Sequence, residues 1–502
     1  MLNLAKGSRV AILAESCYQW GAAYFGITSA GFIAVPILPD FPQPQIVNIL
    51  THSGVQAGIT SRKLEAAMRG AVSELPESIP LAQLETAEIL DGPGKGTPLA
   101  RPENPRAFFS EEIAPDTPAV LLYTSGTTGT SKGVTHSHHA IAWNAVTGLG
   151  EGLGPDPEGV RHLSVLPLAH TYECTIGLVG ILSVGGEIKY LDGPPTPTKL
   201  LEAMGKERPS VMLTVPLLME KIYHSKISSP LKKRPFTKII FSFPPVRKII
   251  HRVAGKKMFQ LFGGNLRFFG IGGAPLAPDT EKFLIESRWP YSVGYGLTET
   301  APLLAGGNIK HMEYRSTGKV LPGVSLRIHE PSEKTGIGEI QAKGPNVMQG
   351  YWNDPERTAE VFTEDGWFRT GDLGYIKNNV LFIKGRMKDV LLGSNGENIY
   401  PDEVEAVINS QTFVQESLAY INEGQLVARI LLDAEKIAAE LKRKGLVEAE
   451  KINQWKNEQL EIIRKEANKH LGANSRIQSF IEQLSPFEKT PSLKIKRFLY
   501  TS

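Results

Sequence analysis

The chain has 502 residues, 41% hydrophobic and 21% charged, which is typical of soluble globular proteins with sizeable cores. A net charge of +3 gives no global electrostatic reason to expect nucleic-acid binding. The two cysteines, Cys17 and Cys174, lie far apart and have no histidine at metal spacing, which argues against a disulfide framework or a zinc site and favours a reducing cytosol. The length predicts about two to four domains.

The first residues contain Lys6, Arg9 and Glu15, which interrupt any apolar segment of secretory length. The most apolar stretch, IGLVGILSVGG from Ile176 to Gly186, is too short to span a bilayer. We therefore expect a cytoplasmic protein.

Short apolar runs alternate with amphipathic stretches along the first two thirds of the chain, which predicts layered α/β structure with largely parallel sheets. From about residue 320 to 383 the pattern changes to short strands and turns, and after Arg386 a smaller unit follows with a charged helical segment at 434–471. The predicted strands are RVAIL, AVPIL, AVLLYT, LSVLP, IKYL and VMLTV, and the predicted helices are QWGAAYFGITSAG, TKLLEAMGKE and LLMEKIYHSK.

The stretch YTSGTTGTSKG, from Tyr123 to Gly133, has the composition of a phosphate-binding loop between a strand and a helix. Its glycines allow a close backbone approach to anions, and Lys132 adds a positive charge. It is not a Walker loop, because that motif requires glycine at the position of Ser131 and a hydroxyl residue at the position of Gly133. Taken alone, it is equally well interpreted as a Ser/Thr-rich surface turn.

Further charged residues follow predicted strands or occupy glycine turns. The stretch YGLTET carries Thr298 and Glu299, FRTGDLG carries Asp372 in a glycine turn, GRMKD carries Arg386, and TPSLKIKR carries Lys494. Each alone is more often a solvated loop residue. In this order and spacing, over nearly the whole chain, the five stretches resemble the adenylate-forming superfamily of acyl-CoA synthetases, luciferases and peptide-synthetase adenylation domains.

The resemblance implies a large N-terminal domain of layered α/β sheets at 1–387 and a smaller mobile α+β domain at 388–502. It also implies ATP, Mg²⁺ and coenzyme A as reactants or cofactors, and assigns a role to each matching residue. The expected nucleotide- and acyl-binding residues are Thr124, Ser125, Gly126, Thr127, Thr128, Gly129 and Lys132 in the phosphate loop, Gly272, Gly273, Ala274 and Pro275, and Gly294, Tyr295 and Gly296.

The resemblance implies that Thr298 touches the α-phosphate, that Glu299 ligates Mg²⁺, and that Asp372 binds the ribose with Arg386 beside it. His170 in LPLAHTYE matches the gate over the substrate carboxylate, and Lys494 matches the lysine of the adenylation step. The expected catalytic residues are therefore Lys494, His170, Thr298 and Glu299.

The small domain is expected to rotate between the two half-reactions, since Lys388 matches the hinge of the family. The loop GSNGENIYP would then enter the site for thioester formation. Its matching residues are Gly393, Ser394, Gly396 and Glu397. Adenylation brings two anions together, so the positive charges of Mg²⁺ and Lys494 are needed to offset their repulsion.

Two stretches favour a fatty acid as the substrate. TVPLLMEKIYHSKI, from Thr214 to Ile227, and the tail TPSLKIKR are similar to segments of long-chain acyl-CoA synthetases, and Leu493 stands where other branches have glycine. These similarities predict a long-chain fatty acid–CoA ligase. Transfer to the phosphopantetheine arm of a carrier protein is the alternative for the second step, and a non-catalytic nucleotide- or acyl-binding protein is a third interpretation. A hydrolase has no support, since the chain contains no G-x-S-x-G.

Between Lys221 and Pro278 the chain has twelve Lys or Arg residues and no acidic residue. This segment is interpreted as a solvated basic helix over a core, as a contact with anionic membrane surfaces, or as an attraction for the phosphates of coenzyme A. The histidines of THSHHA, residues 135–140, lack zinc spacing and are treated as structural at a helix start. The segment that precedes KGSRVAIL is shorter than in the family, which leads us to expect uncovered core or a partner.

Overall fold

The computed structural model describes residues 4–99, 112–124, 132–154, 157–228, 243–307, 309, 312–393, 397–489 and 495–501. The strands are β1 (Arg9–Leu13), β2 (Ile33–Ile37), β3 (Ala57–Thr60), β4 (Leu81–Gln83), β5 (Ile89–Asp91), β6 (Pro118–Thr124), β7 (Lys132–Ser137), β8 (Arg161–Ser164), β9 (Glu187–Tyr190), β10 (Val211–Thr214), β11 (Phe268–Ile271), β12 (Tyr291–Val293), β13 (Tyr295–Gly296), β14 (Leu303–Gly306), β15 (Lys319–Val320), β16 (Ser325–His329), β17 (Gly338–Lys343), β18 (Gly350–Tyr351), β19 (Phe368–Lys377), β20 (Val380–Arg386), β21 (Leu391–Leu392), β22 (Asn398–Ile399), β23 (Val414–Asn422), β24 (Gln425–Leu432) and β25 (Ser479–Gln483).

The helices mostly begin at a proline or at a capping side chain, as at Ser137, Thr196 and Asp433. They are α1 (Tyr18–Ser29), α2 (Gln43–Ser53), α3 (Glu65–Val72), α4 (His138–Leu153), α5 (Ile181–Ser183), α6 (Pro197–Glu207), α7 (Pro216–Tyr223), α8 (Pro244–Leu261), α9 (Pro278–Ser287), α10 (Pro355–Val361), α11 (Pro401–Asn409), α12 (Ala434–Lys444) and α13 (Ala449–Asn468). Two π-helices, Glu173–Gly180 and His224–Ser228, and four 3₁₀ turns, Thr298–Thr300, Met387–Asp389, Ala473–Ser475 and Arg497–Leu499, complete the described elements.

Two sheets and three helical layers form the first half of the fold. The first sheet has the order β18-β7-β6-β2-β1-β3-β4-β5, and the second has the order β12-β11-β10-β8-β9. One face of the first sheet packs on α2 and α3, and its other face packs on α1, α4 and the π-helix Glu173–Gly180. That middle layer also covers the second sheet, whose far face packs on α6 to α9. The predicted layered α/β architecture is confirmed.

The strand directions agree only in part with the expected parallel sheets. The second sheet is parallel throughout the described residues, and the central strands of the first sheet are parallel as well. The edges of the first sheet are antiparallel, because β6 and β7 form a hairpin and β18 pairs with β7. A third sheet, β13-β14-β15-β20-β19-β17-β16, is antiparallel, which matches the change of pattern seen in the sequence.

The residues after Arg386 form the hairpin β21-β22 and the sheet β23-β24-β25, covered by α11 and α13. Their core clusters are built from residues between Leu391 and Tyr500. The single charged helical segment expected at 434–471 is wrong, because it divides into α12 and α13. The division occurs at Gly445, which has a left-handed φ of 66° and accordingly ends α12.

The apolar stretch from Ile176 to Gly186 lies in the π-helix, in α5 and in the turn that follows α5. Among the helices of the described residues, none combines the length and the hydropathy that crossing a bilayer demands.

Candidate active site

The two strands that flank the predicted phosphate-binding loop pair with each other as β6 and β7. Thr124, the last residue of β6, pairs with Lys132, the first residue of β7. The expected position between a strand and a helix is therefore wrong, since the chain returns along β7 before α4 begins at His138. Five of the expected binding residues lie outside the described residues: Ser125, Gly126, Thr127, Thr128 and Gly129.

Strand β18 joins this hairpin to the Thr298–Thr300 turn. It pairs with β7 and places the ring of Tyr351 under the ammonium of Lys132, with Nζ 4.8 Å from the ring centroid. The Tyr351 hydroxyl donates a hydrogen bond of 3.0 Å to Oε1 of Glu299. Burial, together with the Glu299 carboxylate, raises the pKa of Tyr351, so the phenol stays protonated and remains a donor.

The geometry of the Thr298–Thr300 turn depends on glycines before it. The chain leaves the second sheet at Val293, passes Gly294, and enters the third sheet at Tyr295. A Cβ on Gly296 would lie 1.8 Å from the carbonyl oxygen of Pro302, so only glycine fits there. The turn that follows leaves Thr298 and Glu299 half-buried.

His136 on β7 supports the Thr298–Thr300 turn through a hydrogen bond, a role that was not predicted from the sequence. Its ring is fully buried, and its Nε2 lies 2.6 Å from the carbonyl oxygen of Thr298. Since a carbonyl only accepts, Nε2 carries the proton and Nδ1 is bare. Nδ1 has no hydrogen-bond partner among the described residues. Burial lowers the pKa of His136 to about 4, because a second proton on Nδ1 would turn the ring into a cation that water cannot reach.

The other histidines of THSHHA begin α4, as predicted. Ser137 caps the helix by accepting from the backbone N–H of Ala140 at 3.1 Å. His138 and His139 form its first turn, and burial lowers the pKa of His138.

Asp372 and Arg386 lie opposite each other on β19 and β20. The expected glycine turn at Asp372 is wrong, since the residue lies inside a strand of ten residues, which pairs with β17 on both sides of Asp372 and with β20 from Asp372 onward. One Asp372 oxygen accepts from the Tyr295 hydroxyl at 2.7 Å, and the other lies 3.3 Å from Nε of Arg386. Burial alone lowers the pKa of Arg386, but the negative charge of Asp372 and of further groups, including Glu299, raises it overall.

The GGAP loop follows β11 at the carboxyl end of the parallel second sheet. The backbone N–H of Gly272 donates to the Thr214 carbonyl at 3.0 Å, and Gly273 has a left-handed φ of 88°. Gly273, Ala274 and Pro275 are exposed, so this loop presents backbone to solvent. Such positions at the ends of parallel strands are where ligands of open α/β sheets bind.

Two charged side chains hold the end of the GGAP loop, and neither was among the expected site residues. Glu220 on α7 is largely buried, and its Oε1 accepts from the N–H of Ala277 at 2.8 Å. The guanidinium of Arg315 donates to the carbonyl of Leu276 and lies 3.6 Å from buried Glu281. Burial raises the pKa of Glu281 to about 7. Glu220 belongs to the segment that resembles long-chain synthetases, which was the available signal.

His170 lies on the loop between β8 and the π-helix and is exposed. Its Nδ1 accepts from the backbone N–H of Tyr172 at 3.3 Å. The π-helix that follows is anchored by a fully buried pair, in which Glu173 lies 2.8 Å from Nε2 of His162. His170 therefore precedes an anchored helix and is open to solvent, and its role as a gate stays a prediction.

The expected hinge and thioester loop lie beyond β20. Lys388 is exposed in the Met387–Asp389 turn. The N–H of Gly393 donates to the carbonyl of Glu397 at 2.9 Å and so closes the hairpin β21-β22. The Glu397 carboxylate contacts Lys334 at 3.4 Å and also Asn474. The remaining expected residues here, Ser394, Gly396 and Lys494, lie outside the described residues.

Four of the stretches singled out in the sequence therefore connect through side-chain and strand contacts. Lys132 is linked to Glu299 through Tyr351, Asp372 pairs with Arg386, and the charge of Glu299 also raises the pKa of Arg386. In the part of the chain that the structure describes, no three His, Cys, Asp or Glu side chains lie close enough to hold a metal ion by themselves. Mg²⁺ bound with a nucleotide needs only one or two protein carboxylates, and Oε2 of Glu299 makes no hydrogen bond to another described residue. The donor set fits that mode of binding.

The chain is similar to known proteins over most of its length. A sequence model described as AMP-binding enzyme matches residues 1–352. The chain is 27% identical over 470 residues to the long-chain-fatty-acid–CoA ligase heimdall of Drosophila melanogaster, covering 86% of this chain and 68% of that protein. It is 28% identical over 542 residues to the long-chain-fatty-acid–CoA ligase FadD15 of Mycobacterium bovis, covering 99% and 86%.

Among solved structures, the fold is similar to o-succinylbenzoate CoA synthetase (MenE) from Bacillus subtilis in complex with its acyl-adenylate intermediate. The TM-score is 0.72 at 22% identity, covering all of this chain and 89% of that one. At this identity the likeness shows the shared fold.

Proposed function

The chain belongs to the AMP-binding enzyme family, and from this premise we propose that it is a fatty acyl-CoA synthetase. In the first step a fatty-acid carboxylate oxygen bonds to the α-phosphorus of ATP, and the bond from that phosphorus to the β,γ-pyrophosphate breaks. In the second step the thiol of coenzyme A bonds to the acyl carbon, and AMP leaves. The observation that carries the proposal is the contact network from Lys132 through Tyr351 to Glu299, with Asp372 and Arg386 beside it.

The network suits adenylation for electrostatic reasons. The carboxylate and the triphosphate repel each other, so positive charge must be placed before they meet. Lys132 and Arg386 supply two fixed cations. Glu299 would hold Mg²⁺ through the oxygen that Tyr351 leaves open, and the metal would neutralise phosphate charge. Asp372 would hold the ribose hydroxyls with its remaining lone pairs, Thr298 would contact the α-phosphate, and the GGAP loop would line the adenine and acyl sites.

The order of the two steps depends on the part of the chain after Arg386. We place the domain boundary between residues 387 and 388, with Lys388 as the hinge. The separate core clusters after Leu391 support this division. Lys494 would complete adenylation in one orientation, and the loop from Gly393 to Glu397 would approach for thioester formation in the other.

The fatty acid is proposed from the relatives' names and from the segment around Glu220. That segment contacts the end of the GGAP loop through Glu220, which supports its assignment to the acyl site. Transfer to a carrier protein is the alternative for the second step, because a phosphopantetheine thiol performs the same attack as coenzyme A.

The test is carboxylate-dependent release of pyrophosphate from ATP, run over acids from acetate to oleate and benzoate. Each acid is assayed with no thiol, with coenzyme A and with a phosphopantetheinylated carrier protein. We expect release to rise with acyl length and sustained turnover to need coenzyme A. Turnover with the carrier protein only would replace the acceptor, and no release with any acid would overturn the proposal.

Lys494→Ala separates the two half-reactions. We expect it to abolish pyrophosphate release and to spare thioester formation from supplied acyl-AMP. Lys496→Ala is the matched control, since Lys496 lies two residues away and pairs with Glu488 at 3.4 Å. Equal loss of both half-reactions in Lys494→Ala would contradict the rotation of the small domain.

A further inference from the structure

Helix α8 is held firmly against the second sheet through one face. Met258 and His251 are buried, and Met258 lies in the core beneath the helix. Gly255 lies so close to α9 that a Cβ there would meet the Cβ of Ser287 at 2.4 Å. Arg247 pairs with Glu286, with Nη2 to Oε1 at 2.8 Å. The rotation of α8 about its axis is therefore defined, and so is its outward face.

The outward face of α8 carries an apolar stripe. Val246 is 41% exposed, Ile249 is 60% exposed and Val253 is 55% exposed. At 3.6 residues per turn, these three side chains fall within a sector of about 60° along two turns. Single exposed apolar residues are ordinary on proteins, but an aligned set on a rigid helix marks a contact surface.

Cations border the stripe on both sides. Arg252 and Lys256 lie along one edge of the apolar stripe, and Lys257 lies along its other edge. All three are exposed, as is Lys248 further round. The sequence has no acidic residue between Lys221 and Pro278 that would neutralise them locally.

We propose that this face of α8 docks the protein on anionic membrane surfaces. The apolar stripe would enter the boundary between headgroups and acyl chains, and the flanking cations would contact lipid phosphates. The apolar stripe decides among anionic partners. Nucleic acid or the phosphates of coenzyme A would engage the cations but would leave Ile249 and Val253 in water. Docking through this face does not depend on which acid the enzyme activates.

Co-sedimentation with vesicles tests the proposal without substrate. Binding of the full chain is compared on vesicles of phosphatidylcholine alone and of phosphatidylcholine mixed with phosphatidylglycerol. We expect binding to the mixed vesicles only, weakening as salt is added. Equal binding to both kinds of vesicle, or to neither, would overturn the proposal.

Two variants separate the contributions of the surface. The first is Ile249→Ser with Val253→Ser, matched by Ile462→Ser with Val447→Ser, which are exposed on and near α13. We expect the α8 pair to lower partitioning about tenfold or more and the control pair to change it less than about twofold. Pyrophosphate release with a dissolved acid should be the same in both pairs, which separates this proposal from the proposed function.

The second variant removes charge: Arg252→Gln, Lys256→Gln and Lys257→Gln. Its control is Lys442→Gln, Arg443→Gln and Lys444→Gln at the exposed end of α12, with the same change in net charge. We expect about tenfold or greater loss of vesicle binding in the α8 triple variant alone. If the serine pair binds normally and the glutamine triple raises KM for coenzyme A or loses oligonucleotide binding, the face attracts those anions and membrane docking is overturned.

Discussion

Replacing His136 tests how the Thr298–Thr300 turn is held. The ring is buried, donates from Nε2 to the Thr298 carbonyl at 2.6 Å, and has no described partner at Nδ1. His136→Leu keeps the bulk but leaves the carbonyl unpaired, which costs about 1–3 kcal/mol. His136→Gln keeps a donor near Nε2 and cannot titrate. We therefore expect pyrophosphate release to fall strongly in the leucine variant and to be largely retained in the glutamine variant.

The pH dependence gives a second, quantitative measure. The pKa of His136 is lowered from 6.5 to about 4 by burial, so the unfolded state binds a proton at a higher pH than the folded state. Stability from this residue is present above pH 6.5 and is lost as pH falls toward 4. At about 1.4 kcal/mol for each pH unit, the loss near pH 4.5 is about 2.5 kcal/mol.

Amide hydrogen exchange of the β7 peptide measures this local stability. Intrinsic exchange rates change with pH equally in the wild type and in His136→Gln. The difference in opening free energy between the two proteins therefore reports the contribution of His136 alone. We expect that difference to shift by about 2.5 kcal/mol in favour of the variant between pH 7 and about pH 4.5. A difference that does not change with pH would refute the buried, neutral state of His136.

Three other substitutions probe the remaining contacts. Tyr351→Phe removes the donor to Glu299 and should weaken the apparent affinity for Mg²⁺ in pyrophosphate release about tenfold, whereas an unchanged Mg²⁺ titration would contradict the contact. Asp372→Asn places an N–H against either the Tyr295 hydroxyl or the Arg386 guanidinium, both of which are donors. It should raise KM for ATP about tenfold or more with little change in KM for the acid. A selective effect on KM for the acid would refute the ribose assignment. Glu220→Leu should raise KM for the acid and for ATP about tenfold by freeing the GGAP loop, and Glu220→Gln should stay within about threefold because it keeps an acceptor. Equal effects of the two Glu220 variants would exclude the hydrogen bond as the cause.

The motifs that carry charge could be predicted from the sequence, because each needs a particular residue type after a strand or in a glycine-rich stretch. The layered architecture could be predicted as well, since apolar runs such as RVAIL and VMLTV alternate with amphipathic helices. These signals are local, and every predicted strand and helix overlaps a described element, although LSVLP continues three residues beyond the end of β8 at Ser164.

The contacts that support the site could not be predicted in the same way. Tyr351 reaches Glu299 across 52 positions of the chain, and His136 reaches Thr298 across 162. The Tyr351 contact comes from β18 and the His136 contact comes from β7, and the packing of these two strands against the Thr298–Thr300 turn has no local signature. His136 also stands among three other polar residues of a helix start, so its place on a buried strand was hidden by its neighbours.

Backbone details escaped the sequence for a related reason. A glycine beside Asp372 is typical of a turn, but pairing along β19 and β20 overrides that preference and keeps the residue in a strand. The charged segment after Ala434 has one continuous helical pattern, yet Gly445 ends α12 by adopting a conformation that other residues rarely reach.

The supporting contacts also suggest why the phosphate loop and the metal-binding carboxylate work together. Strand β7 begins at Lys132, directly after the loop, and the same strand carries His136 under the Thr298 carbonyl. Strand β18, paired to β7, carries the hydroxyl that orients Glu299. A displacement of the hairpin by bound phosphates would therefore be transmitted to the turn through two hydrogen bonds. If so, His136→Leu combined with Tyr351→Phe should lose more activity than the sum of the single free-energy losses, because either contact alone still ties the turn to β7.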